Sequence, residues 1–157
     1  MTLPSFNRTQ AILWGGFAAG FIELMAIFVI WQVFENVPPL VILQAVATAF
    51  MGNDAYQAGA QSALLGLVLH FFVSFCFAAA YVTVSGYVSP LRKYPFIFGP
   101  LYGIVAYLVM TYIVVPISLA TFGRPDTLFS LARSVLMHMF IFAPPIALAA
   151  SRIRASR

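Results

Sequence analysis

Four ionisable residues interrupt long apolar stretches of this sequence: Glu23, His70, Arg133 and His138. In hydrocarbon each is costly, so each is a functional candidate by default. One chemistry is structural: Glu23 hydrogen-bonds one or both histidines, Arg133 snorkels outward or pairs with Glu23, and the cluster fixes helix register. A second is redox. Two neutral imidazoles at equal depth could supply both axial ligands of a b-type haem, with Gly66 and Ser134 one turn away leaving room for the macrocycle. A third is a path for protons or a small solute, since Glu and His at mid-membrane are the usual parts of a relay. Pro144 and Pro145 add a kink there and free a backbone carbonyl. Two histidines and one glutamate could also bind a transition metal, but three isolated residues are a weak signal.

Other chemistry lacks its parts. There is no Walker loop, no H-E-x-x-H and no cysteine cluster. No serine has an evident base beside it, and Cys76 is the single cysteine, so no intrachain disulfide forms. The expectation is a non-enzyme with no metal and no obligatory cofactor, haem b being the alternative.

These residues must be positioned by elements suited to lipid. The 157 residues are 62% hydrophobic and only 8% charged, against roughly 25% charged in soluble domains. A soluble fold of this composition would expose large apolar patches. Four apolar runs stand out, at about Ala11 to Phe34, Ala60 to Thr83, Pro95 to Leu119 and Thr127 to Ala150. Each exceeds the roughly 20 residues that cross a hydrocarbon core, and in lipid such runs must be helical. At ~1.5 Å per residue, Glu23 lies roughly 18 Å from one end of its helix and the histidines roughly 15 to 17 Å from the other end of theirs. All three therefore fall near the midplane, with Arg133 about one and a half turns nearer the outside.

Orientation follows from Lys and Arg in the short connections. Arg8 precedes the first run, Arg92 and Lys93 separate the second and third, and Arg152, Arg154 and Arg157 follow the fourth. The other two connections hold Glu35 and Asp54, then Arg124 beside Asp126. Both termini are expected in the cytoplasm, which leaves the Asn7-Arg8-Thr9 sequon on the side where it is not used. The net charge of +4 is scattered over helix ends and argues against nucleic acid as a partner. The first run is not a signal peptide: it is too long, has Glu23 at its centre, and no small-residue cleavage site follows.

The first outer connection holds a shorter apolar stretch, Leu40 to Met51, between Pro38-Pro39 and Gly52. It is too short to span and is expected to form an interfacial or re-entrant helix, a lid on the outer ends of the bundle or a docking surface. An internal repeat also emerges. Gly16 and Gly20 in the first run match Gly99 and Gly103 in the third, and Ser-x7-His-x-Phe occurs as Ser62, His70, Phe72 and as Ser130, His138, Phe140. Two helical hairpins related by a pseudo-two-fold axis along the membrane normal would produce it. Gly16, Gly20, Gly66, Gly99 and Gly103 are the expected helix-packing positions, since small residues let backbones approach in lipid.

Gly16 and Gly20, Leu43-Gln44-Ala45 to Gly52, Gly66 with His70-Phe71, and Gly99 to Gly103 resemble a family of small uncharacterised bacterial four-helix inner-membrane proteins. The resemblance covers most of the chain and implies location and topology, not a reaction. The expected protein is thus all-α, a single transmembrane domain of four spanning helices in two hairpins, with a short interfacial helix. The expected role is non-catalytic, as an accessory or assembly subunit of a larger membrane complex or a homo-oligomer. The alternatives are a bis-histidine haem b electron carrier and a small-solute or proton transporter.

Overall fold

The computed structural model describes residues 5–122 and 125–153. Arg124, Arg154 and Arg157, used above for orientation, lie outside the described residues. Within those described, four helices are long and apolar enough to cross a membrane: α1 (Arg8–Glu35), α3 (Gly59–Ser85), α5 (Pro95–Ile117) and α6 (Leu128–Ser151). Between α1 and α3 lies the shorter α2 (Pro39–Met51), and α4 (Ser89–Lys93) precedes α5. The protein is a multi-pass, all-α membrane bundle, and its helix ends fall within about three residues of those expected from the sequence.

Local chemistry sets the boundaries. Asn7 caps α1, its side chain accepting from the Gln10 amide at 2.8 Å while Gln10 Oε1 accepts from the Asn7 amide at 3.0 Å. Thr127 caps α6 in the same manner through Ser130. Asn36, left-handed at φ 55°, ends α1.

Each spanning helix buries one stripe of small residues and turns the rest of its surface outward. On α1 the stripe is Ala11, Gly15, Gly16, Ala19, Gly20, Glu23 and Leu24, the three- and four-residue spacing of one helix face. Phe17, Phe21, Val29 and Val33 are exposed beside it. Glu23 is buried because it falls on the packed stripe. On α3 the stripe runs Ser62, Gly66, Ser74, Ala78 and Val82, with His70 in the same register. Phe72 and Phe140, matched by the repeat, both face outward.

Helix α1 packs against α3 and α6, and α5 packs against α6. The glycine pairs do what the repeat implies. A Cβ on Gly16 or Gly20 would meet Phe75, or Phe71 and Ser74, of α3. One on Gly99 or Gly103 would meet Ala147 and Pro144, or His138 and Met139, of α6. The two hairpins are therefore built alike. Their association is not symmetric, however: α1 and α6 pack along their backbones, whereas α3 and α5 are bridged by side chains. The Tyr102 hydroxyl donates to the Phe77 carbonyl at 2.8 Å, and Tyr102 meets Tyr81 edge to face.

Helix α2 departs from the expected lid. It lies against the flank of α3, with Ile42, Gln44, Ala47 and Thr48 buried. The contact is made at Gly66, about 10 Å into α3, where an added Cβ would overlap the Leu43 carbonyl. Gln44 Nε2 donates to the Gly59 carbonyl at 3.1 Å. The connection from α5 to α6 is tied to the other end of α2: Leu119 N donates to Ala49 O, and Thr121 N to Thr48 Oγ1, each at 3.1 Å. At the opposite end of the bundle Phe6 N donates to Arg152 O at 2.8 Å, within a single parallel bridge between Phe6 and Ile153. The two chain ends are thereby held together beside Arg8, Arg92 and Lys93.

Candidate functional site

Two spanning helices leave the α-helical path, α6 at mid-length and α5 in its last third. In α5 residues Met110–Val114 form a π turn, and in α6 residues His138–Phe142 form another. Each ends two residues before a proline, Pro116 in α5 and Pro144 in α6. A proline has no N–H to donate, and its ring collides with the carbonyl four residues earlier. Just upstream of each proline the turn widens to i to i+5, with bonds from Val115 N to Met110 O and from Ala143 N to His138 O. Such turns are frequent at functional sites. The sequence shows the prolines and a kink, but not the form the backbone takes.

Both π turns border a cavity of about 520 Å³ between α1, α2, α3, α5 and α6. Its apolar wall includes Ile27, Val41, Ile42 and Val115, and α2 contributes a full side of it. The polar groups are Glu23, Tyr56, His70, Tyr107, Thr111, Ser130, Arg133, Ser134 and His138. That volume lies within the range of small-molecule sites, which are mostly apolar with a few convergent polar groups.

The candidate residues separate on inspection. Glu23 and His138 come together: Glu23 Oε1 is 3.9 Å from His138 Nε2, and both side chains are largely buried. His138 Nδ1 bonds the Ser134 carbonyl at 2.9 Å. His70 borders the same cavity but turns Nε2 to the Gly20 carbonyl at 2.9 Å, joining α3 to α1. Ser74, one turn on, donates to the Gly16 carbonyl at 2.7 Å. Arg133 does not pair with Glu23. Its Nη1 meets Glu35 Oε1 at 2.7 Å, and the guanidinium stacks on the Trp31 ring at 4.1 Å. The ion pair thus sits about 7 Å nearer the end away from the termini, one and a half turns of α6 before His138.

Tyr107 was missed by sequence reasoning. It is 4% exposed, its ring meets His138 edge to face at 5.7 Å, and its hydroxyl has no hydrogen-bond partner among the described residues. The signal existed: Gly99, Gly103 and Tyr107 continue one stripe at four-residue spacing to Thr111, opposite the helix that carries His138.

The arrangement does not fit a bis-histidine haem. Both Nε2 atoms would have to face one iron, yet His70 Nε2 is directed to Gly20. The space expected beside Gly66 is filled by the Leu43 backbone. Among the described residues no three His, Cys, Asp or Glu side chains converge as a metal site. Comparison with known proteins finds no family model, no curated protein and no solved structure that matches this chain.

Proposed function

We propose that this membrane protein is a small-solute transporter that holds its solute in this cavity, which runs from Glu23, His70 and His138 to Tyr56 and Phe122. The observation that carries the proposal is the convergence of Glu23, His138 and Tyr107 on that cavity, beside a π turn in each of two spanning helices. Buried polar groups in a membrane mark solute or ion pathways, and π turns recur beside functional sites. The accessory-subunit alternative rests on exposed apolar faces such as those bearing Phe72 and Phe140, which lipid covers as readily as protein does. The positive charge of Arg8, Arg92, Lys93 and Arg152 supports a cytoplasmic placement of the end that bears both termini. The resemblance noted above supports a bacterial inner membrane.

Native mass spectrometry of protein gently extracted from its own membrane tests this directly. The expected result is a small-molecule increment that Ala45→Phe, which intrudes into the cavity, removes. Additional protein subunits on both forms, with no such increment, would transfer the role to that of an accessory subunit. An increment matching haem would overturn the geometric case against it.

A further inference from the structure

The hydrogen-bonding character of the cavity names a class of solute; this inference rests on the transport proposal above. A carbonyl can only accept, so the ring nitrogen facing one must carry the hydrogen. His138 Nδ1 faces the Ser134 carbonyl and His70 Nε2 faces the Gly20 carbonyl, each at 2.9 Å. The N–H of each neutral imidazole is thus engaged with backbone, and its second nitrogen is a lone-pair acceptor. For His138 that second nitrogen is Nε2, the atom turned toward Glu23. The Glu23 carboxylate adds further acceptors, and the Tyr107 hydroxyl, buried and unpartnered among the described residues, can accept as well.

Charge points the same way. Arg133, a cation on the cavity wall, is matched by Glu35 at 2.7 Å and covered by the Trp31 ring. This leaves Glu23 as the deep acid that a bound cation would draw into its ionised form. Among the described residues no three His, Cys, Asp or Glu side chains converge as the ligands of a zinc ion would. An ammonium requires only acceptors and a pocket for its substituent.

We propose that the cavity binds small protonated amines with an apolar body, the ammonium lodging between Glu23, His138 Nε2 and the Tyr107 hydroxyl. The apolar substituent then lies against Ile27, Val41, Ile42 and Val115.

The test uses the full chain in lipid nanodiscs and titration calorimetry with 2-phenylethylammonium and its neutral isostere 2-phenylethanol. The ammonium is expected to bind roughly tenfold or more tighter than the alcohol, the size of one charge-assisted hydrogen bond. Glu23→Gln should remove that advantage. Tyr107→Phe, which deletes one oxygen, should weaken the ammonium by about threefold to tenfold and keeps the test open if Glu23→Gln fails to assemble. Equal affinity for the two probes overturns the proposal, as does ammonium binding that neither variant weakens. So does zinc binding to the chain that Glu23→Gln abolishes. Alcohol binding that Ala45→Phe removes, with no preference for the ammonium, defeats the amine proposal while leaving the cavity as a solute site. Failure of both probes in the unaltered protein also defeats the amine proposal, and the mass-spectrometric increment then decides the transport role separately.

Discussion

The Leu43 carbonyl occupies the place where a side chain on Gly66 would have to stand. That contact, with the Gln44 bond to the Gly59 carbonyl, sets how closely α2 lies against α3, where it forms a wall of the cavity. A backbone atom has no rotamer by which to retreat, so a single added methyl group must displace a whole helix. Gly66→Ala is expected to destabilise the protein despite alanine's better helix propensity of about 1 kcal/mol, because overpacking costs typically 1–3 kcal/mol. Gly103→Ala should behave likewise, its Cβ meeting the His138 carbonyl and Met139 Cα. Gly99→Ala, whose nearest neighbours stand at 3.2 and 3.3 Å, should be milder. Thermal unfolding midpoints in detergent rank the three, and equal midpoints would refute the ranking.

The histidines, alike in the repeat, should part company under mutation. His70 joins two helices through the Gly20 carbonyl, a bond worth about 0.6–2 kcal/mol in a membrane. His138 bonds within its own helix. His70→Leu should therefore lower the unfolding midpoint with His70→Gln recovering part of it. His138→Leu should leave the midpoint nearly unchanged and abolish solute binding. The reverse pattern would show that the roles have been exchanged.

The Arg133–Glu35 pair should contribute little by itself. Glu35 is 44% exposed at its side chain, and ion pairs in such a setting are worth about 0–1 kcal/mol after screening. Trp31 against Arg133 should add roughly 0.5–1 kcal/mol. Double-mutant cycles of Arg133→Gln with Glu35→Gln and with Trp31→Leu separate the two. Coupling well above these values in the Glu35 cycle would place the pair in a drier setting than its exposure indicates.

The π turns should depend on their prolines. Pro144→Ala with Pro145→Ala restores two backbone donors and relieves the collisions that displace carbonyls in α6. The variant should assemble with an unfolding midpoint equal to or above that of the parent, yet lose solute binding as His138 shifts away from Glu23. Unaltered binding would mean that the π turn is not what positions His138.

The sequence makes the scaffold plain because lipid leaves so few options. Length and apolarity mark the four spans, and a polar residue such as Glu23 stands out where nearly every neighbour is apolar. What escapes is helix rotation. Arg133 and Glu35 are 98 residues apart in sequence, and only packing decides that Glu35, rather than Glu23, faces the guanidinium. Gly66 is recognisable as a close-packing position, but its partner is not, because α2 resembles an interfacial helix in composition. Tyr107 escaped because tyrosine is ordinary in a membrane protein, and only the stripe through Gly99 and Gly103 sets it apart.

The backbone bridge between Phe6 and Ile153 closes the chain into a ring of two similarly built hairpins. A linker could join Phe6 to Ile153, and the ring could be reopened at residues 86–88, between α3 and α4, at the same face of the bundle. The resulting circular permutant would present α5 and α6 to the insertion machinery before α1 and α3, with every span keeping its original direction, and is expected to reach the same bundle.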